Sequence, residues 1–197
     1  MSNTKHLPGP GPFATIPNVI TVVRTVSSLV LAFIAFQADD RTPWLIAGYA
    51  VYWIGDSLDG LAARLLDQET RAGAVFDISS DRLNTGMLAA ICALEHPEIA
   101  PAIFIFLLNY MVIDNVISLS FLLWPLVSLN YFYEVDRTVY LLNWSHPAKA
   151  INNAGIIIAI IVGNLPLALA IVIPQFALKI WSAWRIGQLA TERNLVA

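Results

Sequence analysis

Residues 56–81 read DSLDGLAARLLDQETRAGAVFDISSD and lie in the middle of an otherwise apolar chain. This stretch holds two carboxylate pairs, Asp56 with Asp59 and Asp77 with Asp81, at spacings of three and four residues. Such spacings place both members of a pair on one face of a helix. An isolated Asp at mid-depth in a membrane costs about 2.5–3.5 kcal/mol. Four of them in an apolar protein therefore indicate a functional site, such as metal ions in a water-filled cavity.

The composition is that of an integral membrane protein. Of its 197 residues, 57% are hydrophobic and only 13% are charged, whereas soluble domains average about 25% charged residues. The length fits one domain. We divide the chain into a flexible, Pro- and Gly-rich N-terminal tail at 1–15 and a membrane domain at 16–190. No basic run suggests nucleic acid as a partner.

Apolar runs predict an all-α integral membrane fold with six transmembrane helices. A span needs about 17–25 apolar residues. The predicted spans are 18–37, 43–66, 74–95, 99–123, 148–164 and 166–187. The connection at 124–147 is rich in apolar and aromatic residues, which predicts either a helix lying at the membrane interface or a partly structured loop.

The distribution of basic residues predicts the orientation. Ten of the eleven Lys and Arg residues lie on or nearer one side of the predicted bundle, and Arg41 alone falls in a loop on the other. The positive-inside rule then places both termini and the 67–73 loop in the cytoplasm. We expect a multi-pass protein of the cell membrane whose active site faces the cytoplasm.

The short 67–73 connection predicts that the second and third helices are antiparallel neighbours. Their four carboxylates can then converge on one point. Ligands that are all oxygen select hard cations, which favours Mg²⁺ or Mn²⁺. Two ions about 3.5–4 Å apart would share the charge better than one, and such a pair suits displacement at phosphorus. The spacing therefore points to a two-metal enzyme.

The residues that follow the first Asp pair suit a phosphate-bearing ligand. Gly60 and Ala63 leave one face of the helix without bulk, and Arg64 can offer a guanidinium fork to a phosphate. The alternative interpretation is structural or concerns transport. In it, the four carboxylates form ion pairs with Arg24, Arg64 and Arg82, or they line a cation pathway.

The stretch resembles the signature of the CDP-alcohol phosphotransferase family, D-x2-D-G-x2-A-R-x8-G-x3-D-x3-D. All eight fixed positions match with every spacing intact. They are Asp56, Asp59, Gly60, Ala63, Arg64, Gly73, Asp77 and Asp81. Upstream, residues 17–24 are similar to the family's P-N-x-x-T-x-x-R at the start of its first helix. The match of individual residues is confined to about 16–86.

The resemblance implies roles for single residues. It implies two metal ions, one held by Asp56, Asp59 and Asp77 and the other by Asp56, Asp77 and Asp81. Asp81 would also be the general base on the acceptor hydroxyl. The positions implied at the CDP part of the donor are Asn18, Thr21, Gly60, Ala63, Arg64, Thr70 and Gly73.

The resemblance also implies the reaction. The hydroxyl of an alcohol would attack the β-phosphorus of CDP-diacylglycerol and release CMP, so that a phosphatidyl group is transferred for phospholipid synthesis. The acyl chains of the donor would stay among the membrane lipids. Family members commonly form homodimers, which is the expectation here.

The acceptor is the least determined part of the reaction. The fourth predicted helix carries no Lys or Arg, and the candidate acceptor residues are Asp114, Lys149, Asn152 and Arg185. Asp114 alternatively pairs with Arg82 or Lys149. We expect a glycerol-type acceptor, either glycerol 3-phosphate or phosphatidylglycerol, with inositol phosphate or serine as alternatives. An interpretation of another class is a divalent-cation carrier or an inactive relative.

Overall fold

The computed structural model of the chain describes residues 9–151 and 163–196, with side chains through residue 193. Its regular structure is helical, and the described residues include no β-strand, which confirms the all-α class. A further helical stretch covers 146–151. The α-helices are α1 (Ile16–Gln37), α2 (Thr42–Leu65), α3 (Arg71–Glu95), α4 (Ala100–Leu108), α5 (Asn115–Leu119), α6 (Arg137–Asn143) and α7 (Leu165–Val196).

Three helical segments among the described residues are long and apolar enough to cross a membrane: Ile16–Gln37, Pro97–Leu123 and Leu165–Arg193. At 24 and 25 residues, α2 and α3 also have the length of a span. They differ in carrying the ionisable residues of the Asp motif. Most of the predicted fifth span lies outside the described residues. The count of six spans stays a prediction.

The fourth span, predicted at 99–123, corresponds to Pro97–Leu123, which is helical but not one regular α-helix. It begins with a 3₁₀ turn, continues as α4, widens into a π-helical segment at Asn109–Asp114, and returns to α5 before a final 3₁₀ turn. Asn109 and Asp114, at the two ends of the π-helical segment, are both buried. Single π-helical turns within α-helices are frequent at functional sites.

Helices α1 and α2 run antiparallel and pack closely through glycines. Gly55 lies against the stem of Arg24. One α1 turn further on, Ser28 donates a hydrogen bond from Oγ to the carbonyl oxygen of Gly48 at 3.0 Å. Since residue numbers rise along α1 as they fall along α2, the two helices have opposite directions. This crossing brings Arg24 against the face of α2 that bears the first Asp pair.

The turn between α2 and α3 is built from local signals. Asp67 has a φ of 54°, a left-handed conformation that Asp tolerates better than most residues. The N–H of Gln68 donates to the carbonyl oxygen of Ala63 at 2.9 Å, closing the end of α2. Thr70 then caps α3 by accepting a hydrogen bond from the N–H of Gly73 at 2.9 Å. The reversal makes α2 and α3 antiparallel neighbours, as the short connection predicted, with Gly48 facing Leu88.

Of the two alternatives predicted for the connection at 124–147, the structure shows the partly structured one, not a single interfacial helix. It contains a 3₁₀ helix, Leu129–Glu134, followed by α6. Phe132 and Val139 are fully buried there and pack with Trp144. The same apolar cluster includes Ile78 of α3 and Ile186 of α7. The connection therefore packs against α3 and α7.

The described part of the N-terminal segment, 9–15, lies against the start of α3. The N–H of Ala72 donates to the carbonyl oxygen of Pro10 at 2.9 Å. The Phe13 ring meets the Phe76 ring edge-on, with centroids 5.1 Å apart. Thr15 caps α1. The flexibility of the tail and the boundary at residues 15 and 16 stay predictions.

Candidate active site

The Asp motif forms a three-carboxylate cluster between α2 and α3. Asp56, Asp59 and Asp77 each offer an oxygen atom, and these atoms lie within 4.8 Å of one another. The cluster is buried on one side and open on the other, because the side chain of Asp59 is 5% exposed while those of Asp56 and Asp77 are 38% and 40% exposed. A ligand can therefore approach from the open side.

Arg24 of α1 ties the fourth carboxylate to the other three. Its Nη2 lies 3.4 Å from Asp56 Oδ1 and 2.5 Å from Asp77 Oδ1. Its Nη1 donates to Asp81 Oδ1 at 3.0 Å, and its Nε donates to Asp59 Oδ2 at 2.7 Å. The ion-pair alternative is thus realised for Arg24. Arg82 pairs elsewhere, with Asp114.

The cluster fits a hard divalent cation. Its converging donors are carboxylate oxygens, which Mg²⁺ and Mn²⁺ prefer. A cationic group, the Arg24 guanidinium, already lies among the carboxylates, so the geometry suits positive charge at this point. Asp56, Asp59 and Asp77 would hold one ion. Asp81, one turn along α3 from Asp77, is the remaining carboxylate for a second.

Three of the residues implied at the donor, Asn18, Thr70 and Gly73, lie together at the start of α3. A Cβ on Gly73 would lie 2.9 Å from Thr70 Oγ1, closer than real Cβ atoms come, and 3.0 Å from Asn18 Oδ1. Asn18 Nδ2 donates to the carbonyl oxygen of Phe13 at 2.6 Å. Glycine at position 73 therefore allows the first turn of α3 to approach α1.

Thr21 touches the metal cluster itself. Its hydroxyl donates to Asp59 Oδ2 at 2.7 Å, the same oxygen that Arg24 Nε contacts. Two donors from α1 thus fix the orientation of the most buried carboxylate. In this structure the contact of Thr21 is with Asp59 and orients it.

Gly60, Ala63 and Arg64 follow the first Asp pair along the last turns of α2. Arg64 is exposed, and its guanidinium Nη1 is 3.5 Å from where a Cβ on Gly60 would lie. Gly60 and Ala63 are partly exposed. This end of α2 therefore presents a cation over a face with little bulk, beside the open side of the cluster.

Two of the candidate acceptor residues, Asp114 and Arg185, are held in ion pairs. Asp114 is bound on both sides, by Arg82 Nη2 at 2.6 Å and by Lys179 Nζ. Arg185 pairs through Nε with Asp136 Oδ2 at 3.1 Å. Lys149 is exposed on the helical stretch at 146–151. The fourth candidate, at position 152, lies outside the described residues.

Asp114 pairs with Arg82, one of the two partners that the sequence indicated, and its other partner is Lys179, which the sequence did not indicate. Lys179 lies on α7 and is buried, and α7 contacts the π-helical segment that ends at Asp114. Arg82 further stacks over the Tyr110 ring, 3.9 Å from its centroid. The ion pairs of Asp114 with Arg82 and Lys179 therefore connect α3, the fourth span and α7. A basic residue in the middle of the last apolar run was the available signal for Lys179.

A second contact that the sequence did not indicate joins two of the connections between helices. The Tyr131 hydroxyl donates to Glu69 Oε2 at 2.6 Å. This hydrogen bond raises the pKa of Tyr131 to about 12, since it favours the protonated phenol. It joins the turn that leads into α3 to the connection at 124–147, next to Thr70.

Comparison with known proteins gives one family and several partial relatives. The family described as CDP-alcohol phosphatidyltransferase matches residues 14–184. The CDP-diacylglycerol–inositol 3-phosphatidyltransferases of Saccharomyces cerevisiae and Homo sapiens are 31% and 35% identical over 83 and 92 residues, which are 42% and 46% of this chain. A protein of Mycobacterium tuberculosis named putative cardiolipin synthase is 33% identical over 69 residues, 35% of this chain.

These relatives are matched over only part of their own length. The matched share is 36% of the yeast protein, 41% of the human protein and 32% of the mycobacterial protein. The chain thus spans less than half of the curated relatives that it resembles. No solved structure matches the chain.

Proposed function

Because the chain belongs to the CDP-alcohol phosphatidyltransferase family, we propose that it transfers a phosphatidyl group from CDP-diacylglycerol to an alcohol and releases CMP. The observation that carries this proposal is the convergence of Asp56, Asp59 and Asp77 within 4.8 Å at the open side of α2 and α3. Asp81 lies one turn further along α3. The cluster has the donor chemistry for Mg²⁺ or Mn²⁺, and we propose two ions.

The donor binds at the end of α2 that meets the α2–α3 turn. Arg64 pairs with a phosphate oxygen of the diphosphate through its planar fork. Gly60 and Ala63 let the nucleotide approach the backbone of α2. Divalent ions held by Asp56, Asp59, Asp77 and Asp81 would neutralise charge at the diphosphate. Asn18, Thr70 and Gly73 shape the neighbouring wall where α1 meets α3.

Asp81 takes the proton in the transfer step. The acceptor oxygen forms a bond to the phosphorus that carries diacylglycerol, and the bond from that phosphorus to the CMP oxygen breaks. The electron pair leaves with CMP, and the hydroxyl proton passes to the Asp81 carboxylate. A carboxylate in reach of the acceptor is needed because an alcohol is a weak nucleophile at neutral pH.

For the acceptor, a polyol such as inositol has the most support. The matched stretches of the yeast and human relatives belong to inositol 3-phosphatidyltransferases. Arg82 and Lys179 both bind Asp114, and Arg185 binds Asp136, so a phosphate that binds any of these three cations would have to displace a carboxylate. These ion pairs favour an acceptor without a phosphomonoester over glycerol 3-phosphate or inositol phosphate.

The second candidate is the glycerol-type acceptor phosphatidylglycerol. It is supported by the mycobacterial relative named putative cardiolipin synthase, and it also lacks a phosphomonoester. Serine is a third alcohol within the same chemistry.

The proposal extends to the setting of the site. We propose six spans in the cell membrane, with both termini and the α2–α3 turn in the cytoplasm, which the excess of Lys and Arg on that side supports. The Asp cluster then opens toward the compartment that supplies the nucleotide-linked donor. We propose a homodimer as the assembly because family members commonly form one.

The experiment is release of CMP from CDP-diacylglycerol by the purified protein in nanodiscs with Mn²⁺ or Mg²⁺. Inositol, phosphatidylglycerol, glycerol 3-phosphate, inositol phosphate and serine are supplied in parallel, and the lipid product is identified by mass. We expect release with inositol or phosphatidylglycerol. Release with a phosphomonoester alone would overturn the acceptor proposal. Failure to bind CDP-diacylglycerol at all would overturn the proposed transferase activity. It would favour the interpretation that the protein is a divalent-cation carrier or an inactive relative.

A further inference from the structure

The Arg24 guanidinium is engaged by the whole Asp motif. All three of its nitrogen atoms contact carboxylate oxygens: Nε, Nη1 and Nη2 reach four different Asp residues at 2.5–3.4 Å. The Arg24 side chain is 2% exposed. With all four carboxylates ionised, Arg24 neutralises one of the four negative charges and leaves a net charge of −3.

The stem of Arg24 is fixed where α1 crosses α2. Gly55 leaves room for it, since a Cβ at position 55 would lie 2.4 Å from Arg24 Cβ and 2.8 Å from Arg24 Cδ. The Tyr52 ring lies 5.4 Å from the guanidinium carbon. Movement of Arg24 is therefore confined to the end of the side chain, within or beside the Asp cluster.

The carboxylates that Arg24 contacts are the ones that would bind metal. Asp56, Asp59 and Asp77 are the converging set, and each is in an ion pair with Arg24. An Arg side chain keeps its charge at any physiological pH, so it cannot leave by losing a proton. A divalent ion at this point must displace the guanidinium or stay within a few ångströms of it.

We propose that Arg24 is the built-in counter-ion of the Asp cluster and that divalent cations bind by exchange with it. This inference rests on the proposed metal site. It assigns Arg24 a positioning role: the guanidinium holds the four carboxylates together before metal binds, and it sets the metal affinity by competing for the same oxygens. This competition weakens metal binding, but the ion pairs with Arg24 keep the carboxylate cluster assembled when no metal is bound.

A purely structural role for Arg24 makes the opposite predictions. If Arg24 only braced α1 against α2 and α3, its loss would lower thermal stability equally with and without metal. The loosened carboxylates would then bind metal more weakly. Competition instead predicts tighter metal binding together with lower stability in metal-free buffer, because four like charges lose their partner.

The test measures Mn²⁺ affinity and thermal unfolding of the purified chain in nanodiscs, with Arg24→Gln compared with the unaltered protein. Arg41→Gln is the matched control: Arg41 pairs with Glu95 at 3.2 Å, at the other end of the helices, and touches none of the four Asp residues. Arg24→Lys is a second variant that keeps the charge but loses the three-nitrogen fork.

We expect Arg24→Gln to bind Mn²⁺ about tenfold more tightly, since a unit charge about 4 Å from a divalent ion repels it by at least that much even in water. Its melting temperature should fall by a few degrees in EDTA and recover in Mn²⁺. Arg24→Lys should bind with intermediate affinity, and Arg41→Gln should bind like the unaltered protein.

Two results would overturn the inference. One is equal or weaker Mn²⁺ binding by Arg24→Gln, or by Arg24→Lys should the Gln variant not fold. The other is a loss of stability that Mn²⁺ does not restore. Absence of Mn²⁺ binding by the unaltered protein would overturn the proposed metal site itself. This outcome is distinct from the two results above, which overturn only the exchange of Arg24 with metal.

Discussion

Replacing Gly55 with Ala should separate α1 from α2 and disturb the Asp cluster through Arg24. The added Cβ would lie 2.4 Å from Arg24 Cβ and 3.1 Å from Arg24 Cγ, whereas carbon atoms in contact sit about 3.5–4.0 Å apart. Arg24 Cβ is attached to the backbone and cannot swing aside. The helix α1 must therefore move by about 1 Å or more.

A shift of that size breaks specific contacts. The hydrogen bond from Arg24 Nε to Asp59 Oδ2 is 2.7 Å long, and about 1 Å more takes it beyond the usual range. Forced overpacking of this kind costs about 1–3 kcal/mol. We expect Gly55→Ala to lower the apparent free energy of unfolding by that amount and to lose most CMP release.

The assay is thermal and denaturant unfolding in detergent micelles, followed by tryptophan fluorescence, with CMP release measured on the same samples. Gly187→Ala is the control, because a Cβ there meets nothing within 4 Å. That change in a helix should raise stability by about 0.5–1 kcal/mol. Unfolding of Gly55→Ala at the same midpoint as the unaltered chain would refute the close crossing of α1 and α2.

Three further substitutions test single contacts. Asp81→Asn should reduce CMP release at least about 100-fold by removing the base while CDP-lipid binding stays measurable; turnover close to that of the unaltered chain would exclude Asp81 as the base. Arg64→Ala should raise the KM for CDP-diacylglycerol about tenfold through loss of a charged hydrogen bond. The control is Arg193→Ala, which changes another exposed Arg. A change confined to the acceptor KM would count against a role of Arg64 in donor binding. Tyr131→Phe should cost about 1 kcal/mol by freeing Glu69. Since the pKa of Tyr131 is raised to about 12, that stabilisation is present below pH about 10 and is lost as pH rises through about 12; equal stability of both proteins at neutral pH would contradict the contact.

The positions of the long helices follow from the sequence because apolar run lengths and end signals agree. The first three predicted spans, 18–37, 43–66 and 74–95, lie within three residues of α1, α2 and α3 at each end. Pro43 in the first turn of α2 fixes that start, since proline there loses no helical hydrogen bond. The antiparallel meeting of α2 and α3 also follows, from the short turn between them.

The sequence indicated Arg24 and Arg82 as alternative ion-pair partners of Asp residues, and both form such pairs, but the full set of contacts does not follow from it. Spacing showed that Asp56 and Asp59 share a helix face, but it could not show that Arg24 of another helix contacts all four motif carboxylates. Lys179 likewise meets Asp114 only through the packing of α7 on the fourth span. Such pairings depend on helix crossing and rotation, which apolar periodicity leaves open.

The irregular segments were beyond sequence reasoning for a related reason. The π-helical segment at Asn109–Asp114 lies within an apolar run whose length fits a single helix. Asp114, at one end of this segment, is paired with residues that are distant in sequence. The local sequence therefore carries no signal for the change from α-helical to π-helical geometry. The 124–147 connection folds around Phe132 by contacts with α3 and α7, which are again distant in sequence.

Removal and return of metal would test whether the Asp cluster carries out metal-dependent phosphatidyl transfer. Protein stripped with EDTA would be given CDP-diacylglycerol and the acceptor panel, then titrated with Mn²⁺, alongside Asp77→Asn. We predict no CMP release without metal, release that rises as Mn²⁺ is bound, and little release from Asp77→Asn at any Mn²⁺ concentration. Undiminished release in excess EDTA, or full activity of Asp77→Asn, would contradict the assignment of this cluster.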